Sequence, residues 1–318
     1  MSLPASLQHL RLPVICAPMF IVSNPKLVVE QCKAGVVGSF PALNARGEGV
    51  LNEWLTGIKA ELVDDEATGG HPAPFAVNQI VHPSNNRLAE DIQVCLSHQV
   101  PVFITSLQAP PKELVDGAHA YGGIVLHDVI NVRHAKKALE AGVDGLILVA
   151  AGAGGHAGML SPFALVGEIR KFYDGLIVLS GSIATGDAIL GAQAMGADLA
   201  YMGTRFICTT EANADAAYKQ GIIDAAANDV IYTNLFTGVH GNYLRQSIVT
   251  AGLDPDNLPV ADKTKMNFGS GGNSAAKAWK DIWGVGQGVG LIDDAPSTAE
   301  LVDHLEMEYK AARVRLAL

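Results

Sequence analysis

One histidine set among residues without side-chain bulk is the most chemically suggestive feature of this sequence: His156 lies in AAGAGGHAG, residues 150–158. An imidazole titrates near neutrality and can take or give a proton at working pH, and the flanking glycines would let a flat ring approach it. Gly152, Gly154 and Ala157 imitate the dinucleotide fingerprint G-x-G-x-x-G/A, yet no acidic residue ends a second strand at the distance that fingerprint requires. A dinucleotide fold of that kind is therefore set aside. A second constellation joins SGSIATG, residues 180–186, to MGTRF, residues 202–206. Gly181 and Gly203 allow close backbone approach, Ser180, Ser182 and Thr204 offer hydroxyls, and a helix opening near Thr185 or Asp187 adds its positive end. Together these suit a phosphate group, although either segment alone would also serve as a tight strand-to-helix turn.

Other titratable residues carry weaker signals. His82 and His127 stand after apolar runs and could line a pocket, and His240 lies in a loop-like stretch; His9, His71, His98, His119, His134 and His304 read as exposed or structural. Cys16, Cys32, Cys95 and Cys208 are far apart, with no C-x-x-C or Cys/His ligand spacing, so no disulfide framework and no metal site is expected. Cys16 and Cys208 read as packing residues, lacking a recognisable base partner. Asp293 and Asp294 read as a solvated turn before Pro296.

The elements that would position these groups follow from hydrophobic patterning. Short apolar runs at residues 13–17, 35–40, 75–79, 100–106, 122–127, 145–150, 176–180 and 199–202 read as eight strands. Helical spacing follows at 24–33, 85–98, 132–141, 162–172 and 187–195, several of these beginning near a Ser, Thr, Asn or Asp able to cap the first turn. EAGVDGLILV and MGADLAYMG repeat one junction, a glycine able to close a helix and then an Asp before a buried strand. Eight βα units predict an α/β fold, a (β/α)8 TIM barrel over residues 1–227, in which functional groups belong on the loops after the strands. Residues 228–290 are richer in Gly, Asn, Asp and Pro, with TGVHGNYLRQS and NFGSGGNSA as loop-like pieces, and read as a lid inserted after strand eight. Residues 291–318 return to helical spacing, with Leu301, Leu305 and Tyr309 four apart, and read as a helix on the barrel's outside.

Composition narrows the partners. The 318 residues are 49% hydrophobic and 17% charged with a formal charge of -10, which suits strands buried on both faces and lacks the basic patches that nucleic acid requires. No export signal or membrane span is visible, and a cytoplasmic, reducing setting with a small-molecule substrate is the expectation.

In PVICAPM, PFAVNQ, AGGHAG, SGSIATGDAI, GADLAYMGTRF and VGQGVGLIDD, taken in that order, the chain resembles the nitronate monooxygenase (2-nitropropane dioxygenase-like) flavoproteins. That group also includes NADH:quinone reductases and FMN-dependent enoyl-ACP reductases, and the likeness spans nearly the whole chain. The resemblance implies an FMN-dependent oxidoreductase. Pro18 and Met19 would lie against the isoalloxazine, Asn78 would contact the flavin, and Gly154 would approach the ring. Ser180, Gly181, Ser182, Gly203 and Thr204 would hold the phosphate, Gln287 would close over the flavin, and His156 matches the catalytic histidine. In nitronate oxidation that histidine would take the α-proton of a neutral nitroalkane or orient the nitronate, electrons passing by way of FMN to O2. Two positions depart from the pattern: Asp128 stands where some quinone-reductase members carry Lys, so a phosphate or pyridine-dinucleotide contact is not carried over, and Ala153 replaces an acidic neighbour of the histidine. The alternatives are an NAD(P)H-dependent reductase of quinones or enoyl thioesters, and a non-catalytic barrel binding a phosphorylated ligand. Oligomeric state is not legible.

Overall fold

A computed structural model describes residues 3–260 and 281–317. Eight parallel strands form one sheet: β1 (Val14–Cys16), β2 (Gly38–Pro41), β3 (Phe75–Val81), β4 (Val102–Leu107), β5 (Ile124–Val129), β6 (Gly145–Val149), β8 (Leu176–Ser180) and β9 (Leu199–Met202). The sheet runs in chain order from β2 round to β9 and β1, and a parallel bridge between Ile15 and Val37 closes it. Cys16 N–H donates to Val37 O at 2.8 Å and Val37 N–H to Val14 O at 3.1 Å across that seam. The expected barrel is therefore present.

Strand periodicity separates two cores. Ile15, Val37, Ala76, Ile104, Leu126, Ile147, Val178 and Tyr201 face inward and pack together in the barrel's interior. Their neighbours, among them Val14, Val77, Phe103, Val125, Leu146 and Ile177, face outward into a larger core beneath the helices. Those helices are α1 (Pro25–Lys33), α2 (Val50–Ala67), α3 (Leu88–Ser97), α4 (Lys112–His119), α5 (Val132–Glu140), α6 (Pro162–Arg170) and α7 (Gly186–Ala194). Asn24, Asn131 and Thr185 cap α1, α5 and α7 through side-chain oxygens.

The repeated junction has a physical purpose. Gly142 and Gly196 take positive φ of 85° and 106° where α5 and α7 end. Asp144 and Asp198 then accept the N–H of Val125 and Ile177 at 2.7 and 2.8 Å, stitching each strand to the one before it. Three strands begin two or three residues later than expected, β2 at Gly38, β4 at Val102 and β5 at Ile124, because Gly35, Gln99 and Gly122 stay in left-handed turns closing the preceding helices.

Beyond β9 come α8 (Thr204–Ile207), α9 (Ala216–Ile223), β10 (Val230–Thr233), β11 (Gly241–Leu244) and α10 (Arg245–Thr250). TGVHGNYLRQS is thus not wholly loop: it holds a turn, β11 and the start of α10. NFGSGGNSA lies outside the described residues. The C-terminal helix α11 (Thr298–Arg315) opens with a Ser297–Glu300 capping box and packs outside the barrel, Tyr309 donating to Gln193 Oε1 of α7 at 2.6 Å.

Candidate active site

Inward-facing positions change character at the C-terminal ends of the strands. Below Asn78, Ser106, Asp128 and Ser180 the interior is apolar; at their level it is polar. Asn78 Nδ2 donates to Ile104 O at 3.2 Å and Ser106 Oγ at 2.9 Å, and Ser106 Oγ donates to Asp128 Oδ2 at 2.6 Å. Burial pushes the Asp128 carboxyl up to about 7, opposed by the Ser106 hydrogen bond. Among the described residues, Asp128 Oδ1 and the Tyr201 hydroxyl find no hydrogen-bond partner. Ser180 pairs in register with Val149 and Tyr201, beside this cluster.

His156 sits directly after β6. The chain leaves that strand, forms the two-residue strand β7 (Gly155–His156) and returns, with Gly158 N–H donating to Val149 O at 3.1 Å and Ala151 N–H to Leu160 O at 2.8 Å. β7 pairs antiparallel with β11, Gly241 opposite His156, and β11 pairs with β10. A small three-stranded sheet thereby holds the histidine. Asn242 Nδ2 adds a bond to Ala153 O at 2.6 Å. His156 Nε2 lies 2.7 Å from Thr237 Oγ1, whose own hydroxyl donates to Val239 O at 3.0 Å. The tautomer assigned from this network puts the ring hydrogen on Nε2 and the lone pair on Nδ1. Part of the residue stays accessible, but the ring is enclosed by protein, and that burial pushes the imidazole down to about 4.

The glycine loops converge at the same end of the barrel. Gly286 N–H donates to Thr204 Oγ1 at 2.9 Å, and Gln287 N–H donates to Gly152 O at 2.9 Å. A Cβ on Gly154 would stand 2.9 Å from Gly286 N, and one on Gly152 would overlap Ser182 Oγ, which explains glycine at both. Gly181 and Ser182 take positive φ of 134° and 57° in succession, and left-handed backbone at a non-glycine is a conformation that costs about 1–3 kcal/mol and clusters at ligand sites. A Cβ on Gly203 would meet Ala17 Cβ at 3.4 Å and Met19 Sδ at 3.7 Å, ordinary contacts, so this glycine looks across the mouth to the β1 loop. Pro18 and Met19 are half-buried there, with Met19 O held by Asn44 Nδ2 at 3.0 Å.

Several expectations change. The opening of α7 faces α11 rather than the loops, Glu308 accepting Gly186 N–H at 2.7 Å, so its positive end is already met by a carboxylate. His127 faces the helices on the outer side of β5, bonded to Thr105 Oγ1 at 2.7 Å, and burial pushes it down to about 4. Asp294 is not a merely solvated turn residue: it pairs with the buried Arg205 of MGTRF. The four cysteines are buried and unpaired, with burial pushing their thiols up. Sequence motifs alone do not single out Ser106, Tyr201, Thr237 or Asn242. The period-2 alternation of β4 and β9 could have found the first two, whereas the last two depend on pairing between segments distant in the chain.

A closed (β/α)8 barrel with a polar interior mouth and a histidine carried above it has the architecture of an enzyme acting on small molecules. Residues 59–308 match the family model for nitronate monooxygenase. The nitronate monooxygenase of Paraburkholderia phytofirmans is 28% identical, covering 94% of this chain and 92% of that protein. Among solved structures, FabK from Thermotoga maritima superposes with a TM-score of 0.76 at 22% identity, covering 98% of this chain and 96% of that one. The nitroalkane oxidase of Streptomyces ansochromogenes gives a TM-score of 0.75 at 24% identity, with 96% and 97% covered. These two likenesses concern the fold. The chain belongs to the nitronate monooxygenase family and is an oxidoreductase. No helix among the described residues is long and apolar enough to cross a membrane.

Proposed function

We propose that this protein is an FMN-dependent nitronate monooxygenase, oxidising alkyl nitronates and their parent nitroalkanes with O2, and that His156 is its catalytic base. The observation that carries this reading is His156 itself, an enclosed imidazole kept neutral by burial and anchored through Thr237. A base must be unprotonated before it acts, and burial secures that. Holding the proton afterwards is costly in an uncharged enclosure. The cost is offset when the lost proton leaves a nitronate anion alongside, since a nearby opposite charge favours imidazolium. His156 thus suits an acid whose deprotonation creates the anion, and equally suits orienting an anion already formed.

The residues fit FMN. Ser180, Gly181, Ser182, Gly203 and Thr204 would hold its phosphate, Pro18, Met19 and Gly154 would flank the ring, Asn78 would meet its polar edge, and Gln287 would cover it. Support comes from the left-handed Gly181–Ser182 pair and from the buried polar atoms at the mouth, which call for a hydrogen-bonding ligand. When bound, FMN would accept the substrate's electrons and deliver them to O2. The described parts of the insertion, residues 228–260 and 281–290, would act as a lid that selects substrate, a cavity of about 270 Å³ beside Tyr232, His240 and Leu258 being its specificity side.

The test is anaerobic mixing of the flavin-loaded protein with an alkyl nitronate and, separately, with NADH and NADPH. Bleaching of the yellow colour by the nitronate alone is the expected result. Bleaching only by a pyridine nucleotide would make the protein a reductase of quinones or enoyl thioesters, and a protein that takes up no FMN would sink the proposal.

A further inference from the structure

The barrel mouth holds a titratable cluster that proton abstraction by His156 does not use. Inward-facing positions on β3, β4, β5 and β9 carry Asn78, Ser106, Asp128 and Tyr201 above an otherwise apolar interior. Their hydrogen bonds run one way. Both Asn78 amide hydrogens are spent on Ile104 O and Ser106 Oγ, so only its carbonyl oxygen is left, an acceptor. Ser106 spends its hydrogen on Asp128 Oδ2. The chain ends at Asp128 Oδ1, which among the described residues has no partner, and the Tyr201 hydroxyl, close enough for the Asp128 carboxyl to push its ionisation up, has none either. Native proteins leave few buried polar atoms unpaired, and two in one small region call for a ligand carrying complementary groups.

Among the described residues the cluster also lacks a cation. Burial and the Ser106 hydroxyl are the influences on the Asp128 carboxyl there, with no contribution from a described Lys, Arg or His. Among the described residues, Tyr201 is the titratable group beside it and the Cys16 thiol in turn acts on Tyr201, both kept neutral by burial. Asp128 and Ser106 are half-buried at the strand ends, with Asp128 Oδ1 and the Tyr201 hydroxyl beneath them. The socket therefore offers two O–H donors and one carbonyl acceptor, with no net charge below about pH 7.

Resting on the FMN reading above, we propose that Asp128, with Ser106, Asn78 and Tyr201, is an uncharged floor for the polar edge of the flavin ring. Asp128 is its positioning residue, donating as a neutral acid where a cation would otherwise stabilise negative charge on the reduced ring. Two consequences follow. Ring binding weakens as the carboxyl ionises, because a carboxylate would face the ring's carbonyl oxygens. The reduction potential is also lower than it would be with a cation at this position.

Riboflavin, which lacks the phosphate, separates the floor from the phosphate loops. Titrating apoprotein with riboflavin and with FMN across pH should show riboflavin affinity level below about pH 7 and falling about tenfold per pH unit above it. Asp128→Asn keeps a donor but cannot ionise, and its profile should be flat. Asp128→Lys should move the flavin's reduction equilibrium at least tenfold toward the reduced form, about 30 mV for a two-electron couple. If the lysine variant does not fold, the Asp128→Asn profile decides alone. Wild-type riboflavin affinity independent of pH, or identical wild-type and Asp128→Asn profiles, would overturn the proposal while leaving FMN binding intact. Uptake of neither flavin by the wild type would instead remove the FMN reading, and this inference with it.

Discussion

The barrel and the small β7–β10–β11 sheet hold their polar groups by opposite means. In the barrel, strand periodicity alone decides which side chains reach the mouth: Asn78, Ser106 and Asp128 follow Ala76, Ile104 and Leu126 at two-residue steps, on strands buried from both sides. In the small sheet, His156 is set by two residues of pairing with β11 and by its hydrogen bond to Thr237, in a turn 81 residues further on. The barrel's polar groups are therefore fixed by the core of the whole molecule, and the histidine by a local attachment. A rigid floor beneath a separately attached proton acceptor lets substrate-handling segments vary without disturbing what lies below.

The sharpest way to break this comparison is at the histidine. His156→Ala should lower turnover of neutral nitroalkanes by about 10² to 10⁴, the usual contribution of a positioned acid–base group, while flavin content and fold survive. Oxidation of a preformed nitronate should suffer less, since its proton is already gone. Steady-state rates on the two forms of one compound make the check. Equal loss on both would mean that His156 orients charge rather than removing a proton, and normal activity on both would leave it a structural residue.

Neighbouring residues of β5 extend the contrast to stability. His127 faces outward and is pushed down to about 4; Asp128 faces inward and is pushed up to about 7. For His127 and His156, the unfolded chain protonates near pH 6.5 while the native ring resists until about pH 4, so stability is complete above 6.5 and falls as pH drops through that window. The gap amounts to roughly 3 kcal/mol at each ring as an upper bound. Asp128 has the opposite sign. Its native carboxyl keeps a proton that the unfolded chain has already lost, so its contribution is present at low pH and disappears as pH rises through about 7. The two opposing windows overlap between about pH 4 and 7, so urea midpoints should rise with pH there, and Asp128→Asn, which removes the opposing loss, should steepen that rise. An unchanged slope in that variant would contradict the neutral acid.

The same contrast explains what was legible in the sequence. Strand positions, the helix-closing glycines and the Gly/Ser loops after β8 and β9 were readable because each depends on local geometry: alternation, left-handed turns, close backbone approach. The inward register of Ser106, Asp128 and Tyr201 was implicit in that alternation once Ile104, Leu126 and Leu199 were known to face inward. Thr237 and Asn242 left no local mark. They act through pairing between β7 and β11, and two-residue strands carry too little pattern to be recognised. The Arg205–Asp294 pair was hidden for the same reason, its partners lying 89 residues apart.

Gly203 offers a smaller test, aimed at the loops shared by the two regions. A Cβ there meets Ala17 and Met19 at ordinary contact distance and φ is not positive, so Gly203→Ala should fold and Gly203→Val should fold with its branched side chain projecting into the mouth. Flavin affinity should fall at least about tenfold in the valine variant, a change of about 1.4 kcal/mol, with the thermal midpoint of the apoprotein little altered. Full flavin occupancy in Gly203→Val would move the phosphate site elsewhere.

The least disruptive test falls on the outer side of the small sheet. Tyr243 is unsuitable for it, being 1% exposed and packed edge-on against Phe236 with ring centroids 5.0 Å apart, so its truncation would open a core cavity before it altered substrate choice. His240 is exposed, stacks on Tyr232 at 5.1 Å and lines the cavity beside β10, and the hydrogen bond it makes to Ala157 N–H uses its backbone carbonyl, which alanine retains. His240→Ala should therefore leave β7, and with it His156, in position. KM should change a few-fold and unequally among nitronates of different chain length, with flavin content and kcat on the smallest nitronate close to wild type. If KM shifts by the same factor for every nitronate, the cavity does not choose substrate. If flavin is lost instead, the sheet supports the floor as well as the base, and the division between a rigid barrel and an attached proton acceptor would have to be abandoned.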